Sequence, residues 1–309
     1  MNSSEIIKSF GFSCKEEPAS IYPFSPVYKI TEEKSSYIIK KTQRPLEKAQ
    51  RLMEYTEFLK SKRINIVTPV KLRKENPQSF EEDVYVVYPF IEGYTYSAKD
   101  EEIYEAGKLL GSIHYHSPKE NIYKLYEYDV YDFFPEEVED SIKSMKSYAE
   151  KVNYSTDWVA LKGKLLKAVE AQEQLKNVVL PFITTPHDYK ANNLIYTPEP
   201  YLIDPDNAGW IPRIFDLALS LLLFHNELST APQVIFTPQQ WKTFMMGYNE
   251  YILLTELEKQ YWSKALEHVF LDEVMWLMAE VEEDWYNPSQ VKLFHSLIKL
   301  LFDSSKYEI

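Results

Sequence analysis

The N-terminal part of the chain carries short runs of apolar residues that predict β-strands around a single helix. Residues 27–30 and 37–40 are rich in β-forming side chains, and the polar residues 31–36 between them indicate a hairpin turn. Residues 46–62 place apolar side chains at helical spacing and predict a helix. The almost continuous apolar run 84–88 predicts another strand, so we expect this part to be rich in β-structure.

Beyond Gly93 the apolar pattern changes to the period of an α-helix. A stripe of apolar residues at helical spacing consists of Ile103, Ala106, Leu109, Leu110 and Ile113. The rest of the chain predicts long helices, interrupted by a segment at 184–209. We therefore predict a small β-rich lobe at 1–92 and a larger, mostly helical lobe at 93–309.

Composition and charge restrict the class of protein. The 309 residues are 45% hydrophobic, which is enough for a core and argues against disorder. The formal net charge of −13 makes a nucleic-acid partner unfavourable and suits a cationic small molecule, although solubility alone also accounts for it. Cys14 is the single cysteine, so the sequence predicts neither a disulfide nor a cysteine-based zinc site.

The sequence gives no indication of a membrane partner. The N-terminus lacks the basic and apolar regions of a secretory signal. The most apolar stretch, 215–224, has about half the length needed to span a bilayer. We therefore expect a cytoplasmic protein.

Three polar residues in the segment 184–209 have the spacing of a phosphate-handling site. Asn193 follows Asp188 by five positions, and Asp204 closes a short apolar run eleven positions later. One carboxylate can orient and deprotonate an acceptor hydroxyl, while an amide oxygen and a second carboxylate can hold Mg²⁺ on phosphate groups. Phosphoryl transfer needs these groups.

The order Asp188, Asn193, Asp204, with Asp216 in the segment 215–218, resembles the aminoglycoside phosphotransferase/choline kinase family. The resemblance implies an α+β, protein-kinase-like fold with two lobes. It also implies an ATP-dependent phosphotransferase that acts on a hydroxyl group of a small aminoglycoside-like or amino-metabolite-like molecule. Mg²⁺ and ATP are the expected cofactors, and GTP stays open as a donor.

The resemblance also assigns roles to these residues. Asp188 matches the catalytic aspartate, while Asn193 and Asp204 match the metal ligands. Asp216 matches a structural aspartate that is expected to hold the catalytic loop.

Some positions around this motif have alternatives or depart from the family. Asn192 is a rival to Asn193, which the five-residue count favours, and Asp206 could bind a second ion or cap the next element. Where the family has His-Gly before the catalytic aspartate, this chain has Pro186 and His187. A packed or partner-bonded role is expected for His187.

A lysine on a strand should contact the nucleotide phosphates and pair with a glutamate of the following helix. Lys40 ends a predicted strand in the right position, whereas Lys41 would point to the opposite face. Glu54 is the preferred partner, with Glu57 as the alternative.

The remaining nucleotide contacts are predicted in a loop and a hinge. The phosphate-covering loop, 20–27, contains no glycine but two prolines, Pro23 and Pro26, which leaves Ser25 as the best donor. In the hinge, the carbonyl group of Tyr88 and the N–H of Phe90 could bind a purine base.

The acceptor is expected near the C-terminal helices. Glu273, Trp276 and Glu280 recur at spacings of three and four and would share one helix face. An aromatic surface beside carboxylates suits an amine or quaternary ammonium group. The alternative is an ordinary helix with Trp276 in the core and the acids in water.

A second hypothesis for the whole chain is a non-catalytic, kinase-like binding or structural protein. Spore-coat-associated proteins with this fold are the precedent in the family that the chain resembles. The presence of Lys40, Asp188, Asn193 and Asp204 together favours the enzyme.

Overall fold

The computed structural model describes residues 3–14, 17–22, 25–42 and 44–309. An N-terminal antiparallel sheet has the order β1-β2-β4-β3. Its strands are β1 (Val27–Glu32), β2 (Ser35–Thr42), β3 (Gln78–Phe80) and β4 (Asp83–Pro89). A tight turn joins β1 to β2, and Glu33 adopts a left-handed backbone there, with φ at 55°.

Helices make up most of the chain after this sheet. Those in the described ranges are α1 (Ser3–Ser9), α2 (Leu46–Ser61), α3 (Asp100–His116), α4 (Pro135–Lys151), α5 (Trp158–Asn177), α6 (Arg213–Leu223), α7 (Pro238–Tyr248), α8 (Glu256–Val269), α9 (Met275–Glu280), α10 (Glu282–Trp285) and α11 (Pro288–Phe302). Across the described ranges, none of them combines the length and apolar content needed to cross a bilayer.

The predicted fold class is confirmed: a small N-terminal sheet precedes a mostly helical C-terminal part. The strands predicted at 27–30, 37–40 and 84–88 lie within β1, β2 and β4, and the helix predicted at 46–62 is α2. The predicted apolar stripe of α3 is buried along its whole length, because these side chains face the main core.

Short strands in the C-terminal part frame the segment 184–209. They are β5 (Tyr94–Thr95), β6 (Tyr126–Glu127), β7 (Phe182–Thr185), β8 (Leu194–Tyr196), β9 (Pro200–Leu202) and β10 (Gly209–Pro212), in two three-stranded sheets. Consequently the stretch 186–193 lies between the ends of β7 and β8, and 203–208 lies between β9 and β10. Loops held at strand ends are common positions for binding and catalytic groups.

The N-terminal and C-terminal parts share contacts. Leu52, Tyr55 and Leu59 of α2 belong to the same hydrophobic core as the C-terminal helices. The Tyr55 hydroxyl donates to the Thr184 carbonyl at 2.9 Å, and the Val67 N–H donates to the Leu202 carbonyl at 2.9 Å. These contacts fix α2 and the segment after it relative to the loops after β7 and β9.

Two glycines permit an unusually close crossing of α3 and α7. A Cβ atom on Gly107 would collide with the backbone carbonyl of Phe244, and one on Gly247 would collide with that of Tyr104. The crossing fixes α3, whose Ala106 carbonyl accepts the Tyr189 hydroxyl at 2.8 Å. The packing of α3 therefore supports the loop that follows β7.

Candidate active site

The loop after β7 has an unusual backbone at two consecutive residues. His187 and Asp188 have φ angles of 53° and 47°. Glycine adopts this left-handed region without cost, whereas other residues do so uncommonly, aspartate and histidine more often than most. His187 thus has a backbone conformation suited to glycine, which is the residue at this position in the family that the chain resembles. Strain of this kind is typical of functional sites.

Asp216 in the first turn of α6 anchors this loop. Its carboxylate is fully buried and accepts hydrogen bonds from Thr185 Oγ1 at 3.0 Å, His187 Nδ1 at 3.0 Å and His114 Nε2 at 2.8 Å. Burial alone would raise the pKa of Asp216, but the bonds from the two histidines hold it well below its usual range. The carboxylate is therefore charged, as a loop anchor requires.

The two histidines on Asp216 differ in charge. Burial lowers the pKa of His114 despite its bond to Asp216, so the ring is neutral, and its Nδ1 accepts the Tyr248 hydroxyl at 2.8 Å. Burial would also lower the pKa of His187, but the hydrogen bond to Asp216 and the nearby Glu273 carboxylate raise it to about 10. His187 is therefore an imidazolium at neutral pH, and its predicted partner-bonded role is confirmed.

Asn193 fixes the position of Asp188. Its Nδ2 donates to the Asp188 carbonyl at 2.9 Å and lies 3.4 Å from the carboxylate Oδ2. Asn193 is buried in a 3₁₀ turn, Ala191–Asn193, whereas the Asn192 side chain makes no hydrogen bond within the described ranges. Burial raises the pKa of the Asp188 carboxyl, and Lys190 offsets only part of that effect.

Backbone pairing brings the second half of the motif to the first. Leu194 of β8 pairs with Leu202 of β9, and the Ile203 N–H donates to the Asn193 carbonyl at 2.9 Å. Asp204 follows directly. The residues predicted as metal ligands, Asn193 and Asp204, therefore lie at the same end of this hairpin.

Lys40 joins this group from the N-terminal sheet. Its Nζ lies 2.6 Å from Asp204 Oδ1 and 3.2 Å from Asp206 Oδ2. Burial disfavours the ammonium charge, but the two carboxylates outweigh this and raise the pKa of Lys40. Lys41 points to the opposite face of the strand and pairs with Asp83 at 2.7 Å, as the alternation of a strand requires.

The prediction that a glutamate of α2 pairs with Lys40 is wrong. In the part of the chain that the structure describes, neither Glu54 nor Glu57 pairs with Lys40. Glu54 is exposed, and Glu57 lies 3.8 Å from Lys71. Lys40 instead takes its charge partners, Asp204 and Asp206, from the β9–β10 loop.

The predicted hinge contacts also need correction. The Phe90 N–H donates to the Ser36 carbonyl at 3.0 Å, and Tyr88 pairs with Ile38 on the same edge of β4. Both groups therefore face β2 rather than a ligand. The Tyr88 side chain does reach the site, since its hydroxyl lies 3.4 Å from Asp206 Oδ1.

The predicted phosphate-covering loop lies partly outside the described residues, because Pro23 and Phe24 are not among them. Ser20 Oγ organises the described part, accepting the Val27 N–H at 3.0 Å and donating to the Tyr22 carbonyl at 2.7 Å. Ser25 Oγ is buried and has no hydrogen-bond partner among the described residues. Its contact with phosphate stays a prediction.

The helix predicted to carry the acceptor residues is not uniform. A π-helical turn, Phe270–Val274, separates α8 from α9. This turn contains Glu273, whereas Trp276 and Glu280 lie four positions apart in α9. That the three residues share one helix face stays a prediction.

The π-turn directs two carboxylates towards the catalytic loop. Glu273 Oε1 lies 3.8 Å from His187 Nε2, beyond hydrogen-bond length but near enough for charge attraction. Asp272 accepts the Tyr128 hydroxyl at 2.8 Å, and burial together with Glu273 raises its pKa to about 6. Trp276 is 57% exposed, so the alternative that placed it in the core is wrong. Glu280 is also exposed.

Sequence reasoning missed several residues of the site: His114, Lys190, Glu227 and Asp272. Lys190 and Glu227 pair with one another at 2.8 Å. Lys190 stands within the motif, two residues after Asp188, so its position was a usable signal. Glu227 lies far from Lys190 in the sequence, and no sequence signal indicated that the two residues pair.

The candidate metal ligands are compatible with Mg²⁺. No cluster of three or more His, Cys, Asp or Glu side chains arranged for a metal ion occurs within the residues that the structure describes. Asn193 directs its amide hydrogens to Asp188, which leaves its carbonyl oxygen for a cation, and Asp204 is partly exposed. Two hard oxygen donors suit Mg²⁺ when phosphate and water complete the coordination.

Comparison with known proteins identifies the family. A model of the phosphotransferase enzyme family matches residues 24–239, more than half of the chain, and the chain therefore belongs to this family. The resemblance inferred from the sequence is confirmed, as is the expectation of an enzyme that phosphorylates small molecules. The proposed spore-coat-type subgroup stays a prediction. No curated protein sequence matches the chain significantly.

Solved structures share the fold at low sequence identity. The amicoumacin kinase hAmiN, solved with AMP-PNP, Ca²⁺ and Ami, is 16% identical with a TM-score of 0.65, covering 97% of this chain and 92% of its own. A microcompartment-associated aminopropanol kinase is 12% identical with a TM-score of 0.68, at 99% and 98% coverage. Choline kinase LicA from Streptococcus pneumoniae is 18% identical with a TM-score of 0.58, at 97% coverage of both chains.

Proposed function

We propose that this member of the phosphotransferase enzyme family transfers the γ-phosphoryl group of ATP to a hydroxyl group of a small cationic molecule. One observation carries the proposal. The β8–β9 hairpin brings Asn193, which holds Asp188, to the same end as Asp204, which holds Lys40. Catalytic carboxylate, metal ligands and phosphate-binding lysine thus converge from distant parts of the chain.

Asp188 acts on the acceptor. Its carboxylate orients the hydroxyl and accepts the hydroxyl proton as the new oxygen–phosphorus bond forms and the bond to the ADP oxygen breaks. The raised pKa of Asp188 makes the carboxylate a better proton acceptor at neutral pH than an exposed aspartate would be. Asn193 holds the carboxylate in place from the backbone side.

Asn193 and Asp204 would hold Mg²⁺ on the donor phosphates. The ion supplies positive charge that offsets the charge of the phosphate groups. Lys40 contacts the same phosphates from β2, and the nearby carboxylates keep it charged. The complex of hAmiN with AMP-PNP and Ca²⁺ supports the use of a nucleotide with a divalent cation.

The purine base would bind to backbone groups at the end of β4 and just after it that face away from β2. Backbone groups alternate along a strand, so the Pro89 carbonyl and the Ile91 N–H face away from β2, unlike the groups of Tyr88 and Phe90. A purine base presents a matching donor and acceptor, as both ATP and GTP do. The division at 1–92 and 93–309 then places this edge at the lobe boundary.

The acceptor would enter beside the π-turn. Glu273 and Asp272 supply carboxylates next to the catalytic loop, and Trp276 offers an exposed aromatic face in the following helix. This combination binds ammonium groups by ion pairing and cation–π attraction. Related structures named for aminopropanol and choline, both amino alcohols, support a cationic acceptor.

A metabolite screen tests the proposal directly. The full chain, supplied with Mg²⁺ and ATP, is incubated with a library of amino alcohols, amino sugars and neutral alcohols, and phosphorylated products are detected by mass. We expect phosphorylation of at least one cationic alcohol and loss of the product on removal of Mg²⁺. Failure to bind Mg-ATP at millimolar concentration would instead favour the non-catalytic, spore-coat-type role.

A further inference from the structure

We propose that a basic pocket beside α2 binds the phosphate group of a small anion, at a site separate from the nucleotide. The pocket lies where the start of α2 meets the chain before β6 and the β9–β10 loop. Its cationic side chains are Arg44, Lys48, Arg51 and Lys124. The proposed phosphoryl transfer uses none of these four, so the inference does not depend on it.

Two distant parts of the chain bring these cations together. Lys48 and Arg51 lie three positions apart in α2 and share one face of the helix, and Arg44 lies two residues before the helix begins. Lys124 comes from the segment after α3, where its carbonyl accepts Arg51 Nη1 at 3.2 Å. The basic pocket is therefore a product of tertiary packing and not of a charged run in the sequence.

Most of this positive charge has no carboxylate partner. Within the described ranges, no carboxylate oxygen lies within 4.0 Å of the cationic ends of Arg44, Lys48 or Lys124. Arg51 pairs only with Glu47, whose side chain is 75% exposed, so solvent screens that pair. In a chain with a net charge of −13, such a concentration of unpaired cations indicates a site for an anion.

Asp206 divides the basic pocket from the nucleotide site. Its carboxylate belongs to the nucleotide side, where Oδ2 lies 3.2 Å from Lys40 Nζ and Oδ1 lies 3.4 Å from the Tyr88 hydroxyl. Its backbone belongs to the basic pocket, because its carbonyl accepts Arg44 Nε at 3.1 Å. An anion in the basic pocket would therefore contact none of the groups that we assign to the nucleotide.

The side chains of the basic pocket suit phosphate. Arg44 and Arg51 are half-buried, and the Nη groups of Arg44 donate no hydrogen bond to any described residue. Guanidinium groups bind phosphate oxygens in pairs, and lysines add point charges. A phosphate group offers about two charges and three terminal oxygens, which is more than a single carboxylate offers.

The size of the basic pocket suits a small ligand. It holds about 330 Å³ of space, part of it open to solvent. This is close to the lower limit of about 300 Å³ for small-molecule sites. The phosphate can be a free ion or a group on a metabolite whose remainder extends into solvent.

Calorimetry with pyrophosphate in EDTA tests the site without nucleotide or metal. Wild type should bind with a Kd below about 1 mM, and binding should weaken as salt is added. Arg44→Gln should weaken binding about tenfold or more, because a charged hydrogen bond is lost. Lys48→Gln should weaken it about two- to fivefold, as expected for an exposed charge. Lys48 is exposed, so this second variant keeps the fold, and a thermal unfolding scan checks that it does.

The matched control is Arg73→Gln, which removes an exposed arginine between α2 and β3 and should bind pyrophosphate as wild type does. Wild-type affinity in both Arg44→Gln and Lys48→Gln would overturn the proposal, as would no binding to the wild type at about 10 mM. An equal loss of affinity for pyrophosphate and for Mg-ATP in Lys48→Gln would overturn it too, since the basic pocket would then be part of the nucleotide site. Pyrophosphate binding by a protein that fails to bind Mg-ATP would support the site and count against the proposed phosphoryl transfer.

Inorganic phosphate and glycerol 3-phosphate, titrated in the same way, identify the form of the ligand. Tighter binding of the ester would support the phosphate group of a metabolite, and tighter binding of inorganic phosphate would support the free ion. In either case Arg44→Gln should weaken the binding of both probes.

Discussion

His187 donates a hydrogen bond from Nδ1 to Asp216 Oδ1 at 3.0 Å, across 29 positions of sequence. The bond joins a loop residue with a left-handed backbone to a fully buried carboxylate of α6. The family has a His-Gly pair before its catalytic aspartate, and in this chain the bond supports the loop in the absence of that pair. His187 stands in the glycine position and braces the loop itself.

The His187–Asp216 pair should make stability depend on pH in the alkaline range. The pKa of His187 is raised from 6.5 to about 10 on folding, so its contribution is fully present below pH 6.5 and is lost as the pH rises through 10. Urea unfolding at pH 7 and pH 10 should show a smaller loss of stability for His187→Gly than for wild type.

The matched control for this experiment is His116→Asn, because His116 Nδ1 bonds to the Ser112 carbonyl of its own helix at 2.9 Å. It should retain the wild-type dependence on pH. Identical pH dependence of wild type and His187→Gly would show that His187 is not a stabilising imidazolium.

Substitutions of Asp188 and Asp204 should affect phosphoryl transfer and nucleotide binding differently. Asp188→Asn should lower kcat by about 10²- to 10⁴-fold with nearly unchanged affinity for Mg-ATP, since only a proton acceptor is lost. Asp204→Asn should weaken Mg-ATP binding as well, because it removes a proposed metal ligand. Steady-state kinetics and calorimetry measure both effects, with Asp83→Asn as a control that should leave them unchanged. Wild-type turnover by Asp188→Asn would exclude it as the catalytic residue.

Lys40 and Lys41 form a natural pair of test positions. Lys40→Met should weaken Mg-ATP binding about tenfold or more through the lost charged hydrogen bonds. Lys41→Met should have little effect, because Lys41 faces Asp83 on the other side of β2. Glu54→Gln should also bind Mg-ATP normally, since this glutamate is exposed and Lys40 pairs with Asp204 and Asp206 instead. Calorimetry with Mg-ATP measures the nucleotide affinity of the three variants.

Glu273 should contribute to acceptor recognition. Glu273→Gln should raise KM for a cationic acceptor by about fivefold, as expected for a partly exposed ion pair. KM for ATP should stay nearly constant. Glu280→Gln, at the exposed end of α9, is the control and should leave both constants unchanged. An unchanged KM for the best acceptor in Glu273→Gln would remove this residue from the site.

The α3–α7 crossing should be sensitive to a single methyl group. Gly107→Ala should destabilise the protein by about 1–3 kcal/mol, because the Cβ meets the backbone of Phe244 and the helices must separate. Gly163→Ala in α5 should stabilise it by about 0.5–1 kcal/mol, since no atom of the described residues lies within 4 Å of the added Cβ and alanine favours the helix. Urea unfolding measures both. Equal stability of the two variants would contradict the close crossing.

The sequence by itself determined what depends on local periodicity and spacing. Short runs of β-forming and apolar residues marked β1, β2 and β4, and the helical stripe marked the buried face of α3. Alternation along β2 placed Lys40 and Lys41 on opposite faces, as the structure shows. These properties follow from backbone geometry within a few residues, which the sequence records directly.

Only the tertiary structure decided which distant groups meet. The partners of Lys40, the pairing of Lys190 with Glu227 and the bond from His187 to Asp216 all join residues from different elements. A π-turn at Phe270–Val274 interrupts the helix that regular spacing had predicted there, and the register of β4 against β2 engages the Phe90 N–H. Such contacts depend on how elements cross and on single-residue shifts in register, and no local pattern in the sequence encodes either.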